Sequence, residues 1–325
     1  MNNNKEYTNS VTGLLDLNIS NNNRNTKILY PTEFIFSFKK FTKLCESIKF
    51  SNIVRLSYNN KTSFLFDIIP HLLLCRFYSK KVVLEYRHLN RFTKLDPIGW
   101  LSKRILKQFH LVLIDSEPLV GKLSKNKINC SHLLHSYDTD KIKFKLRNKL
   151  QPLMLVDLST NDNFNLHCVM AAYKLVKQKY PRTEILIVNS DEDKIKKEYN
   201  IDFEEYPGIQ RCNEDLTEIV DRCDIYLNSR YYEFLPSSMI KAFGSGIPVI
   251  STPIGIVDKI INRKNLLMYK FNDHNTLSDL IIELIENPNL TEKLSNNGRY
   301  LSKEFNTDKI SSYYQLLYNQ LLNVN

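Results

Sequence analysis

Between residues 153 and 269 short β-branched runs alternate with segments of helical period, and few folds tolerate that rhythm. The expected strands are Leu153–Asp157, Glu184–Asn189, Asp224–Asn228, Pro248–Ser251 and Leu266–Tyr269. Between the first two, Leu166, Val169, Met170, Tyr173 and Val176 recur at the spacing of one helix face, which makes a βαβ unit. Such alternation predicts a parallel sheet covered by helices. The first half repeats it less clearly, with strands expected at Lys27–Tyr30, Asn52–Leu56, Lys81–Tyr86 and Leu111–Asp115. A chain of 325 residues suits two lobes of ordinary size. The expected division is a tail over residues 1–24, a first lobe over 25–148 and a second over 149–307. The join falls in the charged stretch Asp138–Leu150, and a closing helix over 308–325 returns to the first lobe. Its apolar spacing is Ile310, Tyr313, Tyr314, Leu317 and Leu321.

Composition narrows the class further. Apolar residues make up 42% and charged residues 25%, as in a folded globular chain. Six cysteines stand without a Cys-Xaa-Xaa-Cys pair or a zinc-spaced cluster, and they read as free thiols. The Asn-rich start lacks the apolar run of a secretory signal, so a cytoplasmic location is expected. The longest apolar stretch, Phe64–Tyr78, is broken by Asp67, Pro70, His71 and Arg76 and falls short of the ~20 residues of a spanning helix. It reads as a core helix before a membrane-seated one. Charge is divided sharply: residues 1–150 carry 26 Lys and Arg against 11 Asp and Glu, and residues 151–325 carry 19 against 24. A basic half implies an anionic surface, whether a membrane leaflet, a lipid-linked pyrophosphate or nucleic acid.

The segment from Glu233 to Thr252, EFLPSSMIKAFGSGIPVIST, is the most informative. A strand ending near Asn228 leads to a loop with Arg230 and Glu233, and Pro236 suits a first helical turn. Ser237, Ser238 and the backbone N–H groups around them then form a helix N-terminus, which favours an anion such as a pyrophosphate. Ser237 and Ser238 also serve as plain caps, and the two roles are compatible. Gly244 and Gly246 close the helix before the next buried strand.

This segment resembles glycosyltransferase family 4 (group 1), in which two acidic residues separated by seven others precede a Gly-Xaa-Pro-Val strand. The flanking order matches too, in Asp221–Ser229 before the segment and in Thr252-Pro-Ile-Gly255 after it. The resemblance implies a GT-B fold: two Rossmann-like parallel-sheet lobes with a cleft between them. It implies a transferase that moves a sugar, with retention and without a metal, from a nucleotide-sugar to a glycan acceptor, lipid-linked as in bacterial surface-polysaccharide assembly such as that of lipopolysaccharide. The nucleotide-sugar is the donor substrate and no further cofactor is implied. Glu233 becomes the sugar contact, and His88, after a first-lobe strand, stands where the family often places a histidine facing the sugar. A lone histidine also has a structural reading, and Glu233 also reads as a solvated loop carboxylate.

Three departures accompany the resemblance. The second acidic position is Lys241, which donates hydrogen bonds but cannot accept those of a ribose diol; it reads as a partner of the diphosphate or as a surface lysine. The family's Gly-Arg and Lys after the first strand are replaced by Val156–Asn163, which has no basic residue, leaving Lys241, Arg211 or Arg230 to neutralise a leaving diphosphate. Asn189 stands where a glycine would end the second strand. In the first half, Ile98–Phe109 places Leu101, Ile105 and Phe109 on one face and Lys103, Arg104 and Lys107 away from it, with Trp100 near its start. That is a core helix with a solvated face, or one that also lies on anionic lipid at the inner face of the membrane. A catalytically silent partner subunit of the same fold is the second reading. Nucleic-acid binding is a third, against which the aromatic residues of the basic half form no stacking motif.

Overall fold

The computed structural model describes residues 26–29, 38–59, 64–87, 100–114, 117–150, 152–158, 164–189, 195–196, 199–212, 216–231, 235–253 and 260–323. The chain divides into two compact units: Met1–Ser136 with Thr307–Asn325, and Tyr137–Asn306. In the first unit β1 (Thr26–Leu29), α1 (Phe38–Lys49), β2 (Ile53–Asn59), α2 (Phe64–Phe77) and β3 (Lys81–Arg87) follow one another. They lead to α3 (Trp100–Leu106), β4 (Leu111–Ile114), α4 (Glu117–Lys125) and β5 (Cys130–His132). The strands form one parallel sheet in the order β1-β2-β3-β4-β5. Side chains alternate across it, so Val54, Leu56, Val82, Leu84, Val112 and Ile114 share one core with Leu44, Ile48, Leu72, Cys75 and Leu106. The helix after Phe64 turns one face to this core, with Leu72 and Cys75 buried, while Leu73 and Phe77 are exposed. In α3 the side chains of Trp100 and Leu101 lie outside the described residues; Leu106 and, just past the helix, Phe109 are buried, and Arg104 and Lys107 are exposed.

The second unit contains β6 (Leu153–Asp157), α5 (Leu166–Lys179), β7 (Glu184–Val188), β8 (Ile209–Cys212) and β9 (Ile225–Asn228). After these come α6 (Ser237–Ser245), β10 (Val249–Ser251), β11 (Leu267–Met268), α7 (His274–Glu286) and α8 (Pro288–Ser302). Its sheet is parallel throughout and ordered β11-β10-β9-β6-β7-β8. The chain therefore lays β6, β7 and β8 in one direction, returns, and lays β9, β10 and β11 in the other.

The first division of the chain falls after Ser136, not after residue 148 as expected. Arg147 explains the difference. It is buried within the second unit, where Nη1 donates to Lys145 O at 2.6 Å and Nη2 donates to Asp221 O and Cys223 O at 3.1 Å each. Burial lowers its pKa, while Asp224 and Asp221 pull the other way. The same stretch lies against α6. A Cβ on Gly244 would meet Ile142 Cδ1 at 2.8 Å, and one on Gly246, whose φ is +83°, would meet Lys145 O at 2.6 Å. Arg299 Nη1 joins the strap to α6, donating to Thr139 O at 3.2 Å and to Gly244 O at 2.9 Å.

The last helix, α9 (Thr307–Asn323), packs on the other face of the first sheet, where Ile310, Tyr314 and Tyr318 meet Ile53, Val83, Leu111 and Leu113. Two buried charges lie in that layer. Arg55 Nε and Glu85 Oε2 are 2.7 Å apart, and the guanidinium lies 4.9 Å from the centre of the Tyr314 ring. Burial alone would lower the pKa of Arg55, but Glu85, Tyr318 and Tyr314 outweigh it and hold the group protonated. Tyr314 fastens the helix, donating to Leu134 O at 2.7 Å and accepting from Leu134 N–H at 2.8 Å. Removing one member of a buried pair strands the other charge. Glu85→Leu is therefore expected to lose about 3–5 kcal/mol in urea unfolding, and Arg55→Met/Glu85→Leu much less. Equal losses would show that the two charges are not coupled.

Candidate functional site

In an open parallel α/β sheet ligands collect beyond the carboxyl ends of the strands, where the order of winding reverses. In the second unit that point lies between β6 and β9. Arg230, two residues past the end of β9, crosses it: Nη2 donates to Asp157 O, the last residue of β6, at 2.9 Å. Its backbone forms an antiparallel bridge with Phe164, whose ring lies 5.5 Å from the guanidinium. At 2% exposure this is a cation held inside the sheet edge. Thr252 Oγ1, one residue past β10, donates to Arg230 O at 2.6 Å, so three strand ends are tied through one residue.

Further polar groups complete the edge. Asn189 Nδ2 donates to Asp157 Oδ1 at 2.9 Å, and Asn228 Nδ2 to Ser251 Oγ at 3.0 Å. Tyr269 donates to Asn228 O at 3.4 Å, and burial raises its pKa, which keeps the phenol a donor. Asn189 adopts φ +55°, a left-handed conformation that Asn tolerates better than other residues with a Cβ. A glycine would meet the same requirement, and here the amide adds a hydrogen bond to Asp157.

Helix α6 begins at this edge. Pro236 is its N-cap with φ −63°, and no side chain caps the helix. Ser237 is exposed at the first position, whereas Ser238 is buried and its hydroxyl lies 2.7 Å from that of Tyr226 on β9. Only the backbone of Ser238 therefore faces the helix end. Lys241 is half-buried one turn after Ser237, on the same side of the helix. Arg211 is elsewhere. It lies exposed on edge strand β8, over the Phe203 ring at 5.7 Å. Its register runs through Ile187 and Val156 to Leu227, so three strand spacings, roughly 14 Å, separate it from β9. Glu233 and His88 lie outside the described residues.

Sequence reasoning passed over several groups at this edge: Phe164, Asn228, Thr252 and the aromatic pair Tyr231 and Phe271. The pair is exposed, with ring centres 4.9 Å apart in an edge-to-face arrangement. Aromatic residues within a few positions of a strand end were the available signal. Among the described residues no three His, Cys, Asp or Glu side chains come together as metal ligands, and no helix is long and apolar enough to cross a membrane.

Comparison with known proteins identifies the family and the fold. Residues 138–300 match the family described as Glycosyl transferases group 1. An uncharacterized glycosyltransferase of Methanocaldococcus jannaschii, MJ1069, is 23% identical over 90% of this chain and 82% of its own length. The N,N'-diacetylbacillosaminyl-diphospho-undecaprenol α-1,3-N-acetylgalactosaminyltransferase of Campylobacter jejuni is 30% identical over 33% of this chain and 29% of its own. Among solved structures, TarM of S. aureus, also determined in complex with UDP, superposes with a TM-score of 0.65 at 18% identity. The likeness covers 83% of this chain and 55% of TarM. The two parallel-sheet units have the GT-B fold, and with half its length matched by the family the chain belongs to the group 1 glycosyl transferases.

Proposed function

We propose that this chain transfers a sugar, with retention and without a metal, from a nucleotide-sugar held by the second unit to a lipid-linked glycan. The work is done at the cytoplasmic face of an anionic membrane. The observation that carries the donor site is the Arg230 guanidinium fixed at the switch between β6 and β9, with the N-cap of α6 eight residues past the end of β9. A nucleoside diphosphate leaves with its negative charge uncovered, and fixed positive charge at that position stabilises its departure. The family supplies such charge from the loop after the first strand; here Val156–Asn163 has none. Arg230 reaches the end of that strand from β9 and takes its place, with Lys241 on α6 as a second contact to the diphosphate. Glu233, by its position in the motif, contacts the donor sugar.

Two similarities support the substrate classes. The name of the C. jejuni relative specifies a diphospho-undecaprenol acceptor, and TarM has been determined with UDP. The silent-partner reading is favoured by Lys241 and by the missing basic residues of Val156–Asn163. Hydrolysis of donor by the purified chain separates it from the enzyme.

Binding of UDP at 100 times its dissociation constant is expected to stabilise the fold by about 2.7 kcal/mol in thermal denaturation. The absence of any shift across nucleoside diphosphates and their sugars would count against a donor site. Glu233→Gln is expected to lower turnover roughly ten- to a hundredfold with nucleotide affinity unchanged, because the contact strengthens as charge builds at the anomeric carbon. Lys241→Ala is expected to weaken UDP binding roughly tenfold, the loss of a charge-assisted contact. An unaltered rate in Glu233→Gln would sink the sugar-contact assignment, and unaltered affinity in Lys241→Ala would leave that lysine a bystander.

A further inference from the structure

Helices α1, α2, α3 and α4 each hand the chain to the amino end of the next strand, so four corners line one edge of the first sheet. These corners, residues 49–52, 76–81, 104–110 and 122–129, hold one, three, two and three Lys or Arg and no Asp or Glu. Hydrogen bonds lace neighbouring corners together. Lys80 Nζ donates to Lys49 O at 2.8 Å, Arg76 donates to the side chain of Gln108, and Asn129 Nδ2 donates to His110 O at 2.6 Å. Apolar side chains stand out among the charges: Phe50 is 69% exposed, Phe77 81%, and Leu73, one turn before Phe77, 59%.

Helix C-termini attract cations, and that is the first explanation to exclude. Each helix end carries only about half a negative charge, so four of them account for roughly two of the nine basic residues. Nor does a helix end call for exposed phenylalanines. The helix-to-strand corners of the second unit provide a comparison within the same chain. There Glu204, Glu205, Asp221 and Asp224 are mixed with basic residues, so no single sign prevails. The field at the first edge is felt by a neighbour: the pKa of His110 is lowered by burial and then by Lys81 and Arg76.

We infer that this amino edge is the face by which the chain lies on an anionic lipid bilayer, with its Lys and Arg at the headgroups and Phe50, Phe77 and Leu73 in the acyl boundary. The inference rests on the membrane reading given under the proposed function and names the surface that serves it. Charge complementarity selects this occupant. A second copy would bring the same sign against itself through this edge. Polyanionic nucleic acid would match the charge but leaves an aliphatic Leu73 and isolated phenylalanines without a partner, whereas a bilayer accepts both features.

The test uses the full chain and sedimenting vesicles, one set of phosphatidylcholine with about 30% phosphatidylglycerol and one of phosphatidylcholine alone. The unmodified protein is expected to bind the anionic set at low salt and to be released as salt rises. Lys49→Gln, Lys107→Gln and Lys125→Gln combined are expected to weaken that partition roughly a hundredfold, at about a factor of five per surface-facing charge. Lys264→Gln, Lys270→Gln and Lys293→Gln, which remove the same charge from exposed sites of the second unit, are expected to change it less than about threefold. Phe50→Ser with Phe77→Ser, at unchanged charge, is expected to weaken it by roughly tenfold or more. Thermal denaturation of each variant checks that it is folded. Equal losses in the two lysine triples would overturn the assignment to this edge while leaving membrane binding standing. No binding to either vesicle, or equal binding to both, would overturn the membrane reading itself. Tighter retention on poly(U) RNA than on anionic vesicles, abolished by the first lysine triple, would replace lipid with nucleic acid.

Discussion

The reversal of winding beside β6 governs the second unit. Two neighbouring parallel strands, β6 and β9, send their outgoing segments to opposite faces of the sheet, and the backbone cannot close the gap left between them. Arg230 spans that gap. A lysine in its place would bring a single point of contact, whereas the guanidinium donates to Asp157 O while its central carbon sits over the Phe164 ring. Thr252 holds the backbone carbonyl of the same residue, so the ends of β6, β9 and β10 are fixed relative to one another before any ligand arrives. In the proposed reaction, charge preorganised in this way would stabilise the departing diphosphate without reorganising.

Close approach, more than flexibility, explains the small residues around α6. Gly244 lies within the helix and is small because Ile142 packs against it, and Gly298 of α8 is small because Phe243 does. Gly246 combines a left-handed backbone with a crowded site at the end of α6. The strap over residues 137–150 is therefore packed into the second unit by its shape as well as by Arg147, and the helix whose N-terminus faces the ligand edge is clamped at its other end.

How much of this was legible depends on where each element sits in its sheet. Central strands such as Leu153–Asp157 and Glu184–Val188 are buried on both faces and read as continuous apolar runs, and their expected limits lie within a residue of those observed. Strands β5 and β8, Cys-Ser-His and Ile-Gln-Arg-Cys, lie at sheet edges, where exposure relaxes the need for apolar residues, and neither was anticipated. The division of the chain was misplaced because Lys-Leu-Arg-Asn-Lys around Arg147 has the composition of a solvated linker; nothing local marks an arginine whose partners are carbonyls 74 and 76 residues away. The α6 segment was legible as strand, loop and helix N-terminus, but the inward turn of Ser238 depends on Tyr226 twelve residues earlier. Arg211 and Arg230 looked equivalent in sequence, and only strand order sets one at the switch and the other at the far edge.

The two ends of the first sheet carry different chemistry, and their separation bears on the acceptor. Strands β2 and β3 are seven residues each, so the carboxyl edge stands about 23 Å from the amino edge. A bilayer held at the basic amino edge therefore lies roughly that far from the edge at which parallel sheets receive ligands. Under the membrane attachment proposed above, that reach suits a glycan of several residues better than a sugar next to its lipid.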